Sequence, residues 1–301
     1  LLLNLAEDVK AQCSICTKTA QRLGHKPAKG IQTNHKSFTM KRNTSWFFIL
    51  SISIFLIDGC TVNNVSIDKG IGEVFSANKV EGTFGMFDNS RGKFTIYDLD
   101  RFKLQYSPGG TFNIFNSLLA IHIGRLSDER GLIKTEVDSA LSLNDAFRLS
   151  SAPHFMSLAR MIGRDTMKRW VDSLKYGNMK VGVAVDSFWM NDSIKISADE
   201  QLGMMKRMYF KQLPFRASVQ ESVKKMMIIE NNSQYQLAYN IGQAVSNGKS
   251  IVWVIGWIEE NRHVYPFVLN FSTNSLDPAD ALAKKITGDI LAYVGFFRGI
   301  M

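Results

Sequence analysis

Few stretches of this 301-residue chain place reactive side chains at useful spacing. One is Ser107-Pro108-Gly109-Gly110-Thr111-Phe112-Asn113, where a polar loop runs into an apolar segment. A loop feeding a buried helix is where a nucleophile gains from the helix dipole and from free backbone N–H groups. The hydroxyls available there are Ser107 and Thr111, and neither has Lys, His or a carboxylate one helical turn further on. A second candidate is Ser150 with His154, a hydroxyl near an imidazole that would serve as its base; a structural histidine half-hidden on a helix is the plainer reading. Tyr176-Gly177-Asn178 offers a phenol and an amide, and also makes a good tight turn. Cys13 and Cys16 precede His25 and His35 with gaps of 8 and 9 residues. A zinc finger asks for about 12–15 and 3–5, so no metal site is expected, and nothing calls for a cofactor.

The elements around these residues read as α+β. Residues 82–98 alternate apolar and polar on both sides of Asn89-Ser90-Arg91-Gly92, the pattern of a β-hairpin. Residues 107–230 are mostly helical in pattern, with turns at Tyr176-Gly177-Asn178 and around Pro214. Residues 250–271 form a second hairpin pattern around Glu260-Asn261-Arg262. The chain then closes with a helix opened by Asp277-Pro278 and carrying Leu282, Ile286, Ile290 and Val294 at spacings of four. Strands at both ends with helices between imply one sheet built from both termini, a helical second lobe, and a ligand cleft between them.

The formal charge is +9, but residues 1–59 hold 8 Lys/Arg against 3 Asp/Glu and the rest hold 28 against 24. The basic excess is mainly in the leader. No basic stripe with interleaved aromatics marks a nucleic-acid partner. Met40-Lys41-Arg42 precedes an apolar run, Trp46 to Ile57, too short for the ~20-residue helix that spans a bilayer and fitting a secretory signal. The run ends at Leu56-Ile57-Asp58-Gly59-Cys60, which resembles a bacterial lipoprotein box with Cys60 as the lipidated residue; simple cleavage near Gly59 is the alternative. The expected organisation is an upstream extension over 1–39, a signal over 40–59, a tether over 60–80 and a single domain over 81–301. The protein is then exported to the bacterial envelope, facing the periplasm on a lipid anchor. No cysteine follows Cys60, so the domain is built without disulfides.

Seven landmarks in order resemble a class D β-lactamase, of the penicillin-recognising serine-enzyme superfamily. They are "SPGGTFNIFNSLLAI", "LSSAPHFMSLARMIG", "YGN", "VDSFWMNDSIKISADEQ", "LPFRASVQESVKKMMIIE", "AYNIGQA" and "VWVIGWIE", spread over about residues 82–297. The resemblance implies the family's α+β fold and places its Ser-x-x-Lys nucleophile and base at Gly110 and Asn113. Its second serine corresponds to Ser150, with Ala152 where the family has Val. The Lys-Thr-Gly strand reads Asn240-Ile241-Gly242, and a carboxylate-binding Arg near the C-terminal helix corresponds to Ala283. Tyr176, Asn178, Trp189 and Gly242 stand unchanged.

Neither glycine nor an uncharged amide can replace a serine and its lysine base. Losing one member of such a unit costs about 10⁴–10⁶ in rate, so the expectation is an inactive homologue that binds β-lactam or peptidoglycan fragments or acts as a scaffold. An active β-lactamase using Ser150 with His154, and a sensor of cell-wall fragments, are the competing expectations.

Overall fold

The computed structural model describes residues 64–136, 139–246, 248–273 and 279–298. The expected signal, Cys60, the Cys13/Cys16 pair and the Asp277-Pro278 helix opening lie outside the described residues. From residue 64 the chain differs from the expected tether. Residues Val65–Ile67 form β1, paired in parallel with a later strand. Residues Ile71–Ala77 form helix α1, which buries Ile71 and Phe75. The i, i+4 spacing of those two side chains puts both on one face, and that face seals the edge of the core.

The first hairpin stands as read: β2 (Glu81–Asp88) pairs antiparallel with β3 (Lys93–Tyr97). Asp88 makes the turn, its carboxylate accepting from Ser90 N and Arg91 N at 2.8 and 3.1 Å. Short helix α2 (Leu99–Lys103) and strand β4 (Gln105–Tyr106) lead to a 3-10 turn, Gly109–Thr111, and then α3 (Phe112–His122). Next come β5 (Leu132–Ile133), β6 (Leu141–Ser142) and helices α4 (Leu143–Arg148), α5 (Ala152–Ile162) and α6 (Arg164–Ser173). Strand β7 (Ile196–Ser197) pairs with β4 and opens α7 (Ala198–Tyr209) through a capping box in which Ser197 and Glu200 satisfy each other's backbone N–H. Helix α8 (Ala217–Met227) follows.

The rest of the sheet comes from the C-terminal third: β8 (Ile228–Asn231), β9 (Tyr235–Ser246), β10 (Lys249–Glu260) and β11 (His263–Thr273), closed by α9 (Ala279–Tyr293). The seven-stranded order is β1-β3-β2-β11-β10-β9-β8, so strands from both ends of the domain meet at the β2–β11 pairing, as expected. The β10–β11 turn is two residues long, with Asn261 and Arg262 at φ 51° and 66°. Positive φ at both turn positions matches the twist of a tight hairpin.

Both faces of the sheet are covered. On one, Val252, Val254 and Phe267 pack with Ile71, Ile286 and Ile290 of α1 and α9. On the other, Trp253 and Trp257 face the helical layer and are fully buried. At the centre of that layer α3 buries every residue from Phe112 to Ile121 and packs against α5 and α8. A helix buried on every side has no solvent face to offer, so its polar residues Asn113, Asn116 and Ser117 are buried with the rest.

Candidate functional site

The turn that opens α3 is held from three sides. Ser107 is buried, and its hydroxyl donates to the Trp189 carbonyl at 2.7 Å; Gly109 N donates to the same oxygen at 2.9 Å. The Ser107 carbonyl accepts from Trp253 Nε1 at 2.9 Å. Thr111 donates to the Pro108 carbonyl at 2.8 Å and accepts from Gln201 Nε2 at 3.0 Å. Both hydroxyls flanking Gly110 are therefore committed to structure.

Strand β9 presses directly on this turn. A Cβ on Gly242 would lie 2.4 Å from Thr111 N, and one on Gly109 (φ 52°) would lie 2.1 Å from the Gln243 carbonyl. Glycine is required at both places by the close approach of two backbones. Gly110 is less confined: a Cβ there would sit 3.2 Å from Gly242 Cα and 3.4 Å from the Ile241 carbonyl.

A cavity of about 230 Å³ opens beside the turn. Gly110, Asn113, Ser150 and Trp189, identified from the sequence, line it together with Ile241. Asn113 is 4 % exposed, and its side-chain amide faces the cavity. Ser150 reaches the cavity from the end of α4 with a left-handed backbone, φ 48°. Trp189 stacks on Phe112 with ring centroids 5.4 Å apart at 16°, so the indole is at once a wall of the cavity and the anchor of its loop.

Other sequence-derived candidates stand outside the cavity. Tyr176 is buried against Phe112 and Phe115, and desolvation pushes its phenol far above the ordinary range. Asn178 accepts from Lys180 N and Lys195 N and donates to the Ser193 carbonyl, which fastens the turn to the Trp189 loop. Asn240 lies opposite Ile255 on the β9 face that carries Gly242; it is 5 % exposed, with its Oδ1 unpaired among the described residues. Ala283 is fully buried against the sheet.

His154 pairs with Ser151 and not with Ser150. Ser151 Oγ lies 2.7 Å from Nδ1, and Nε2 lies 2.9 Å from the Ser139 carbonyl. A carbonyl only accepts, so Nε2 carries the proton and Nδ1 accepts from the Ser151 hydroxyl. Ser151 is the N-cap residue of α5, and neither partner lines the cavity. The pair closes the first turn of a helix.

Reasoning from sequence missed Gln243 and Asp280. Both line the cavity, and Gln243 Nε2 donates to Asp280 Oδ1 at 2.8 Å. The signal for Asp280 was its place one turn before Ala283 on the same terminal helix. A second cavity, about 340 Å³, lies between the 127–129 loop and α8. Acids there pair with nearby bases, Asp128 with Arg130 and Glu221 with Lys211.

Residues 77–292 match the family model described as penicillin binding protein transpeptidase domain. The chain is 31% identical over 223 residues to "Probable beta-lactamase YbxI" of Bacillus subtilis (strain 168), covering 71% of this chain and 81% of that protein. It is 26% identical over 259 residues to "Beta-lactamase OXA-5" of Pseudomonas aeruginosa, covering 82% and 97%. Among solved structures, FUS-1 (OXA-85), a class D β-lactamase from Fusobacterium nucleatum subsp. polymorphum, superposes with a TM-score of 0.72 at 28% identity, over 77% of this chain and 100% of that one. The C-terminal domain of the Bacillus licheniformis BlaR penicillin-receptor gives a TM-score of 0.73 at 25% identity, over 78% and 98%. The chain thus belongs to the penicillin-binding transpeptidase family. Within that family it is a class D β-lactamase-like protein, with the mixed α+β fold of those neighbours.

Proposed function

We propose that this protein is a catalytically inactive, envelope-anchored relative of the class D β-lactamases, whose cleft is kept as a binding or scaffold module for β-lactam- or peptidoglycan-type ligands. The observation that carries this reading is the cavity itself. It has Gly110 and Asn113 where the family resemblance places nucleophile and base, and both hydroxyls beside Gly110 are tied into the fold. Without a nucleophile there is no acyl-enzyme, and the other members of the unit recover little. The relatives' names support the ligand class: they are β-lactamases and a penicillin receptor.

The test is to incubate the full-length chain with a chromogenic cephalosporin and, separately, with a fluorescent penicillin. No turnover and no covalent label are expected. Turnover above the uncatalysed rate, or a labelled band that survives denaturation, overturns the inactive reading in favour of hydrolysis through a non-standard site. Ser151→Ala and Ser150→Ala would then show which hydroxyl carries it. The anchoring half of the proposal rests on Leu56-Ile57-Asp58-Gly59-Cys60. Labelled palmitate should enter the wild-type chain in a bacterial host and be absent from Cys60→Ser.

A further inference from the structure

The charge at the exposed mouth of the cleft is the reverse of what an anionic ligand needs. Among the described residues lining the cavity, Asp280 is the one that carries a charge; no Lys or Arg joins it. Asp280 stands in the first turn of α9, where the helix dipole favours a carboxylate. Gln243 fixes one of its oxygens, and the other has no partner among the described residues. The walls beside it are apolar, formed by Trp189, Met190 and Ile241. A second polar group faces the same space: the amide of Asn113, a residue only 4 % exposed. Its residue is nearly enclosed, and its amide opens onto the cavity and onto nothing else described. That amide is placed to be satisfied by whatever fills the cavity.

We propose that the cleft selects a compact ligand bearing a protonated amine, with Asp280 as counter-charge, Gln243 as the residue that positions Asp280, and Asn113 bonding a neutral polar group deeper in. The ligand body packs against Trp189 and Met190. A carboxylate presented at this mouth is disfavoured, because a lone negative charge there repels anions and attracts cations. This inference rests on the cleft being a binding site and narrows its ligand to amine-bearing members of that class, such as cell-wall peptide fragments with a free amine.

Benzylamine, benzyl alcohol and benzoate share one ring and differ in charge, so they separate charge from shape. Titrated into the full-length chain and followed by ligand-observed NMR, benzylamine should bind about fivefold more tightly than benzyl alcohol, in keeping with one partly solvated ion pair. Benzoate should bind more weakly than both. Asp280→Asn should remove the amine's advantage and leave the alcohol unchanged. Gln243→Lys, which sets a cation beside Asp280, should do the same if the first variant folds poorly. Equal binding of all three by the wild type, or a preference for benzoate, overturns the charge selection and leaves the binding reading standing. Failure of all three to bind overturns both.

Discussion

Returning a side chain to Gly110 is a steric question before it is a chemical one. The new Cβ would sit 3.2 Å from Gly242 Cα, so β9 must retreat by a few tenths of an ångström to admit it. Overpacking of this kind costs about 1–3 kcal/mol. Gly110→Ser alone is expected to lower Tm by several degrees and to remain unlabelled by fluorescent penicillin, since no base stands beside it. The triple variant Gly110→Ser/Asn113→Lys/Asn240→Lys should become labelled, because those positions surround the turn from α3 and from β9. A triple variant that folds, by circular dichroism, yet takes no label would show that the residue correspondence is wrong. At this scale the sequence was legible where a side chain reports its own position and illegible where a neighbour decides. Gly110, Asn113, Ser150 and Trp189 fall in one cavity. For His154 the plainer reading, a structural histidine on a helix, agrees with its burial and its bonds, and the alternative pairing with Ser150 was one residue off. Ser150 adopts a left-handed backbone at the end of α4, while Ser151 caps α5 and lies three residues before the histidine. That is the spacing at which a cap residue meets the third helical position.

Among the elements, the loop from α6 to α7 does most to fix the cleft, and it is fastened at Gly177 and Asn178. Gly177 has φ 52°, and a Cβ there would fall 1.9 Å from the Lys195 carbonyl oxygen. No flexible side chain could yield to relieve that contact, so Gly177→Ala must break the turn or displace the strand beside it. The expected cost is about 2 kcal/mol or more, or roughly 4–8 °C in Tm for a domain of this size. Asn178→Ala, which removes three hydrogen bonds without a clash, should cost less. Thermal melts of the two variants check the order; equal losses would mean that the turn is held by its amide and not by its glycine. The motif Tyr176-Gly177-Asn178 is thereby accounted for by architecture, with no contact to the cavity. Both hairpins and the terminal helix were legible because alternation and four-residue spacing are local signals. The strand and helix over 65–77 were not, since three and seven residues are too short for a period to show. What fixes them is a tertiary contact, the burial of Ile71 and Phe75 under the sheet.

For the molecule as a whole, the decisive join is between the sheet and the helical layer, and it passes through the candidate site. Residues from Asn64 onward form one compact unit. Within it Trp253, at the centre of β10 and fully buried, donates its indole N–H to the Ser107 carbonyl just before α3. Ser107 in turn donates to the Trp189 carbonyl, so sheet, turn and loop form one chain of hydrogen bonds. Trp253→Phe keeps an aromatic ring in the core but leaves the Ser107 carbonyl unpaired and a small void beside it. The orphaned acceptor costs about 1–3 kcal/mol, and the void adds to it in proportion to its volume. A loss of about 2–4 kcal/mol is expected, carried by the join between layers and not by either layer alone. Because Gly242 of β9 still presses on the Gly109–Thr111 turn, the layers stay coupled without this bond, and the variant should melt in a single transition, with far-UV and near-UV signals sharing one lowered midpoint. Two separated midpoints in the variant, beside one in the wild type, would show that this indole holds the layers together cooperatively. An unshifted single midpoint would show that β9, pressed onto the Gly109–Thr111 turn through Gly242, is the join that matters.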